Sequence, residues 1–216
     1  MGFISSLLDL LFPPKCVFCG KLVAGADSGF CEKCAVTLPF TKNGGGQSGD
    51  FFDTCISPLY YKDNVRKSIL RFKFKGTEGN ADTYAIILAD CIKQHLAGKY
   101  DMISWVPLSK DREKTRGYDQ AMLLALGVAL RLDDVAVETL KKPQRVPAQS
   151  SLTGKAERRA NISGAYTVAD EELIHDRKIL LIDDVVTTGA TLSECARILL
   201  TAGAESVVCA ALARGE

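Results

Sequence analysis

The chain has 216 residues, of which 47% are hydrophobic and 25% charged, with a formal net charge of +1 at neutral pH. That length suits one domain of ordinary size plus a small appendage, and the apolar share is enough for a real core. The near-zero charge argues against a protein that coats nucleic acid indiscriminately, and no apolar run approaches the roughly 20 residues of a membrane span.

Residues 2–14, GFISSLLDLLFPP, are apolar but lack a basic leader and a small-x-small cleavage site, and Asp9 interrupts them. They predict a short amphipathic helix that stops before Pro13-Pro14, and the missing signal predicts a cytoplasmic protein. Cys16, Cys19, Cys31 and Cys34 follow as C-x2-C-x11-C-x2-C. Two such pairs can give four thiolates to one tetrahedral Zn²⁺, and Gly20 suits the tight backbone of the first knuckle. The short segment between the pairs cannot build a core, so a metal is what would hold it folded. Two disulfides are the alternative, disfavoured in a chain without a secretion signal. Cys55, Cys91, Cys195 and Cys209 sit among apolar residues and read as core.

Composition divides the chain into a helix and zinc ribbon at 1–41, a linker at 42–50 and a larger domain at 51–216. The linker contains a formal G-x-G-x-x-G at Gly44, Gly46 and Gly49, but no strand precedes it and no helical pattern follows, so it is not a dinucleotide fingerprint. In the larger domain the patterns predict a strand over 54–61, a helix over 63–74, a helix over 81–97 and a strand over 101–106. A helix over 120–130 capped by Asp119, a strand over 135–140, a strand over 179–182, a helix over 192–202 and a strand over 206–211 follow. Alternating strands and helices imply an α/β fold with a parallel sheet.

Charge is uneven. Residues 62–75 hold six bases and only Asp63, and 141–159 hold six and only Glu157. Such runs usually form solvated faces; converging, they would suit a polyanion. Between strand and helix, 105–120 (WVPLSKDREKTRGYDQ) form a loop dense in Lys and Arg that could hold a pyrophosphate at the carboxyl edge of the sheet, or simply be a solvated surface loop. His95, on a helix, and His175, in an acidic turn, read as surface residues.

The most informative stretch is 178–191, KILLIDDVVTTGAT. Ile179, Leu180, Leu181 and Ile182 make a strand buried on both faces, and ligands of parallel sheets bind beyond the carboxyl ends of such strands. The loop Val185, Val186, Thr187, Thr188, Gly189, Ala190, Thr191 has the parts of a phosphate cradle: hydroxyls, a glycine for close approach, and the N-terminus of the next helix. Asp183 and Asp184 cannot bind phosphate themselves but suit the hydroxyls of a sugar, directly or through Mg²⁺. A Walker B strand also ends in hydrophobic-Asp-Asp, but no G-x-x-x-x-G-K-[ST] accompanies it.

This stretch resembles the PRPP-binding signature of type I phosphoribosyltransferases over all of its positions from Ile179. With CVFCG…CEKC, LYYKDNVRKSILRFKFKG, VPLSKDREKTRGYDQ and RVPAQSSLTGKAERRANISGAY, nearly the whole chain resembles the ComF family, a zinc ribbon joined to a phosphoribosyltransferase-like domain. The family usually has Phe-Asn where Tyr118-Asp119 stand, a change that keeps the aromatic ring and the cap. The resemblance implies that Asp183 and Asp184 hold the ribose 2- and 3-hydroxyls and that Thr187–Thr191 hold the 5-phosphate. It implies that Pro107, Leu108, Ser109, Lys110 and Arg116 face the pyrophosphate and that Arg158 belongs to a hood over the site. It further implies structural Zn²⁺, Mg²⁺ with PRPP, and a role in natural competence or the use of DNA. A binding module is the competing class: a PRPP or nucleotide sensor, or an accessory of single-stranded DNA or a helicase. Phe72 and Phe74 between Arg71, Lys73 and Lys75 could stack bases, although core phenylalanines at this spacing are commoner.

Overall fold

The computed structural model describes residues 13–23, 29–143 and 165–216. The N-terminal helix expected before Pro13, and the Arg158 stretch, lie outside them.

Near its start the chain doubles back at the Cys16–Cys19 knuckle, where Gly20 takes a left-handed φ of 75° and its N–H donates to the Cys16 carbonyl at 2.8 Å. The second cysteine pair straddles the start of helix α1 (Glu32–Thr37). The glycine-rich stretch that follows is attached rather than free. Gln47 and Cys55 exchange both backbone hydrogen bonds, at 3.0 and 2.7 Å, so this segment lies antiparallel beside the first strand.

The main sheet is parallel throughout. Strand β1 (Cys55–Ile56) and strand β2 (Leu59–Tyr60) both pair with β7 (Ser206–Arg214). Strand β6 (Lys178–Val186) pairs with β7 on its other side, and β3 (Met102–Trp105) pairs with β6. The single strand expected over 54–61 is thus broken at Ser57-Pro58, where proline has no N–H for the ladder. The strand expected over 135–140 shrinks to a single bridge of Ala136 to Ile103. Farther on, β4 (Leu140–Lys141) and β5 (Thr167–Val168) make a separate antiparallel pair.

Helix α2 spans Asp63–Phe74, α3 spans Asn80–His95, α4 spans Lys110–Arg116, α5 spans Gln120–Leu132 and α6 spans Ala190–Thr201. Helix α4 replaces part of the loop expected over 105–120. It buries no residue, so it left no apolar period to read.

Side-chain alternation along the strands divides the core in two. Ile103, Leu180, Ile182, Val208 and Ala210 pack with α2, α3, α5 and the ribbon. Ile179, Leu181, Val207, Cys209 and Ala211 pack with α6 and Tyr166. The four cysteines expected in the core are buried there as free thiols. Helices α3 and α5 approach closely because Gly127 has no side chain; a Cβ there would stand 2.7 Å from that of Ala85.

Candidate functional site

Strand β6 runs further than its apolar residues. Asp183 pairs with Ala211, Val185 with Ala213 and Val186 with Arg214, so both carboxylates and two residues assigned to the phosphate loop lie inside the strand. The loop proper is Thr187–Gly189, and α6 begins at Ala190, two residues before the helix expected over 192–202. The N-cap Gly189 has φ 75°, and no side chain caps the helix there. Thr187 and Thr188 are exposed, and the Thr188 hydroxyl lies 3.4 Å from the Ala190 amide. The helix therefore presents its dipole and threonine hydroxyls beside the end of β6, an arrangement suited to an anion.

Alternation along β6 also separates the two acids. Asp184 turns to the α2 face with Leu180 and Ile182, and Asp183 to the α6 face with Ile179 and Leu181. Asp184 is buried and its Oδ1 lies 2.8 Å from the Lys73 Nζ. Asp183 Oδ1 accepts the Asp184 backbone N–H at 2.8 Å. Burial and then the charge of Asp184 push the Asp183 carboxyl above the ordinary carboxylate range, with Lys73 acting against them.

The segment proposed for pyrophosphate is held by Asp119. Its Oδ2 accepts from the Leu108 amide at 2.6 Å, and its Oδ1 accepts from Ala121 at 2.9 Å and Met122 at 3.1 Å. One buried carboxylate thus caps α5 and ties down Pro107–Ser109. Burial raises its pKa, opposed by those three N–H groups. Asp119→Ala removes the cap and strands the Leu108 amide; the expected cost is about 2 kcal/mol, about 5 °C in Tm. A thermal scan checks this, and an unchanged Tm would remove Asp119 as the anchor. Lys110 is exposed, whereas Arg116 is held: its Nη1 donates to Gln120 Oε1 at 2.7 Å and its guanidinium lies 4.9 Å from the Phe74 ring centroid.

Arg158 lies outside the described residues. The pair β4–β5 closes the base of the segment that carries it, where the Lys142 Nζ and the Tyr166 hydroxyl are 2.9 Å apart. Phe72 is fully buried and its carbonyl accepts from the Tyr118 hydroxyl, so Phe72 and Phe74 form no stacking pair; Phe74 alone is exposed. His175 is exposed as expected, while His95 is half-buried beside Gly44.

Two residues beside the site escaped the sequence reading. The sequence places Lys73 in a basic run and, with Phe72 and Phe74, on a candidate base-stacking face, but not beside the acids. Gln47 lay in a stretch dismissed as linker, yet its side-chain amide stands 3.4 Å from where a Cβ on Gly189 would be. The Arg214 Nη1 to Gly45 carbonyl bond, at 2.5 Å, holds the same stretch to the end of β7.

In the ribbon, the four sulfurs of Cys16, Cys19, Cys31 and Cys34 all lie within 4.8 Å of one another, and Cys19 and Cys31 are 3.7 Å apart. A tetrahedral zinc with bonds near 2.3 Å separates its sulfurs by about 3.8 Å, so the set fits one ion. Burial works against the Cys16 thiolate, but hydrogen bonds from the Cys19, Cys31 and Phe18 backbone bring its pKa down to about 6. The ribbon docks on the larger domain. Arg71 Nη2 donates to the carbonyls of Val17 at 2.7 Å and Phe18 at 3.0 Å, the Ser68 hydroxyl also bonds Val17, and Phe18 sits 5.9 Å from Tyr84.

Comparison with known proteins accords with both parts. Residues 7–45 match the double zinc ribbon domain and residues 114–216 the phosphoribosyl transferase domain. Competence protein F of Haemophilus influenzae is 28% identical over 222 residues, covering 93% of this chain and 96% of that protein. The chain belongs to the ComF family. Competence protein ComFC of Bacillus subtilis is 31% identical over 66% of this chain and 56% of its own length. DNA utilization protein YhgH of Escherichia coli O157:H7 is 33% identical over 50% of this chain and 46% of its own length. The chain therefore spans about half of those two relatives and nearly all of the first. Its fold is the expected one, a parallel sheet flanked by helices behind a small cysteine ribbon that suits a structural zinc. Among the described residues no helix is long and apolar enough to cross a membrane.

Proposed function

We propose that this ComF-family chain binds PRPP with Mg²⁺ through its 51–216 domain and works in the cytoplasm in natural competence or the use of DNA. One observation carries the reading: two carboxylates at the end of a buried parallel strand stand beside a helix start whose N-cap residue is a glycine. Acids and an anion cradle side by side match a sugar that bears a phosphate, and fit neither group alone. In this reading Asp183 and Asp184 hold the ribose, Thr187–Thr191 hold the 5-phosphate, and Pro107–Ser109 with Lys110 and Arg116 face the pyrophosphate. Arg158 would close over them. If transfer follows, the bond from ribose C1 to the pyrophosphate oxygen breaks through an oxocarbenium-like state, an acceptor base or amine forms the new bond to C1, and pyrophosphate leaves with the bonding electron pair. Cationic side chains stabilise the departing charge, and Mg²⁺, when bound, neutralises the leaving group.

Titration of the zinc-loaded protein with PRPP, with and without Mg²⁺, tests the reading. Magnesium-dependent binding that disappears in the Asp183→Asn, Asp184→Asn double variant is expected. Binding that survives both substitutions would move the ligand elsewhere.

A non-enzymatic role on single-stranded DNA has one observation in its favour, the exposed Phe74 ring beside Lys75. A salt-dependent affinity for oligonucleotides, lost on Phe74→Ala and Lys75→Gln, would favour it.

A further inference from the structure

We infer that Lys73 is a working residue of the sugar site: its ammonium is the resident counter-ion of Asp184, so that a ribose phosphate binds without a divalent cation to screen the carboxylates. This rests on the reading that Asp183 and Asp184 face a ribose phosphate.

The pair is shielded. The Lys73 side chain is 20% and the Asp184 side chain 10% exposed, and they meet at 2.8 Å. Exposed ion pairs contribute little because water screens them; a pair this covered is screened far less. The helix that carries the ammonium is also fixed. Lys73 stands in the last turn of α2, which is held on both sides. Arg71 and Ser68, two and five residues before it, bond the carbonyls of the first cysteine knuckle, and the Phe72 carbonyl accepts from the Tyr118 hydroxyl while its ring is buried. The next residue, Phe74, carries the Arg116 guanidinium against its ring, a further contact that holds the end of α2.

A sugar phosphate brings about two negative charges to a mouth that already holds two acidic side chains, and at short range in a shielded site that repulsion is strong. Lys73 offsets one of those charges before any ligand arrives. An ammonium has three donors, so engaging Asp184 leaves it able to meet a ligand oxygen as well. Its four-carbon stem lets it follow the ligand without moving the helix. Magnesium is then required by the pyrophosphate and not by the ribose end.

The test is calorimetric titration with ribose 5-phosphate, which lacks the pyrophosphate. Buffers are passed over a chelating resin instead of treated with a soluble chelator, which would strip the cysteine ribbon. The native protein is expected to bind equally, within about twofold, with and without Mg²⁺. Lys73→Gln should weaken magnesium-free binding about tenfold or more, with added Mg²⁺ restoring part of the loss, while Lys73→Arg stays near the native value. Thermal scans confirm that each variant is folded. Equal ribose 5-phosphate affinity and equal magnesium dependence in Lys73→Gln would overturn the proposal, as would a native protein that needs Mg²⁺ for ribose 5-phosphate. If native PRPP binding persists in either of those cases, the sugar-site reading stands and only the role of Lys73 falls. If the native protein binds neither compound, both fall.

Discussion

Asp183→Asn is expected to make the folded chain more stable at pH 8 while weakening its hold on a ribose phosphate by about 10- to 100-fold. The two effects share one cause. The Asp183 carboxyl is raised by burial and by the charge of Asp184, so in the folded protein its ionised form is disfavoured. An acid whose native pKa is raised binds its proton more tightly folded than unfolded, so folding becomes less favourable as pH rises. The penalty is absent below the ordinary value of 3.8, grows through the window up to about 7, and is complete above it. Asparagine never ionises, and its Oδ1 can still accept the Asp184 amide. The variant should therefore gain about 1 kcal/mol at pH 8, about 2–4 °C in Tm, and lose that advantage near pH 4. Comparing parent and variant at each pH cancels the titration of every other group. A ribose hydroxyl that has lost a charged acceptor forfeits about 1.5–3 kcal/mol of binding, which is the stated range of affinity. Thermal scans at pH 8 and pH 4 read the first effect and titration with ribose 5-phosphate the second. A variant less stable than the parent at pH 8 would show that the carboxylate is a favourable part of the fold and not a strained one.

What could be read in the sequence was what residue type decides locally. Helix α2 occupies the expected residues because its apolar positions Val65, Ile69 and Phe72 recur on one side among bases. The cap of α5 at Asp119 and the left-handed glycines 117, 189 and 203 are likewise local chemistry. The end of β6 was not local. Acidic residues are poor strand formers, so the sequence closes that strand at Ile182; in the structure β7 continues to Arg214 and its backbone draws Asp183 through Val186 into the ladder. This matters for the site, since a strand, unlike a loop, sends the two acids to opposite faces. Lys73 could not have been found at all from spacing, because its partner Asp184 is brought to it only by the packing of α2 on the sheet. Gln47 was hidden for a different reason: a glycine-rich stretch looks like linker whether or not its backbone finds a strand to pair with.

Loss of the ribbon metal is expected to reach well beyond the ribbon. Among its described residues this segment has little core of its own, and the largest buried side chain there, Phe18, packs on Tyr84 of α3 and Phe30. Fixed sulfurs are what would set the knuckle backbone, and through it the carbonyls of Val17 and Phe18 that receive Ser68 and Arg71. Without them Phe18 leaves a cavity, a change of the kind that costs about 3–5 kcal/mol, and the Ser68 hydroxyl is left buried without that acceptor. Cys34→Ser, or chelation of the purified protein, should lower Tm by about 10 °C or more, with one zinc per chain lost. Amide exchange should quicken over residues 68–74 of α2 before it does in β6 or β7, because that helix is bonded to the knuckle on one side and to Tyr118 and Asp184 on the other. Cys195→Ala, a buried thiol on the far face of the sheet, serves as the comparison: it should lower stability without changing zinc content or the exchange of α2. A chelated protein that melts where the native one does, with α2 exchange unchanged, would mean that the ribbon hangs from the domain without supporting it, and that Lys73 is positioned by the core alone.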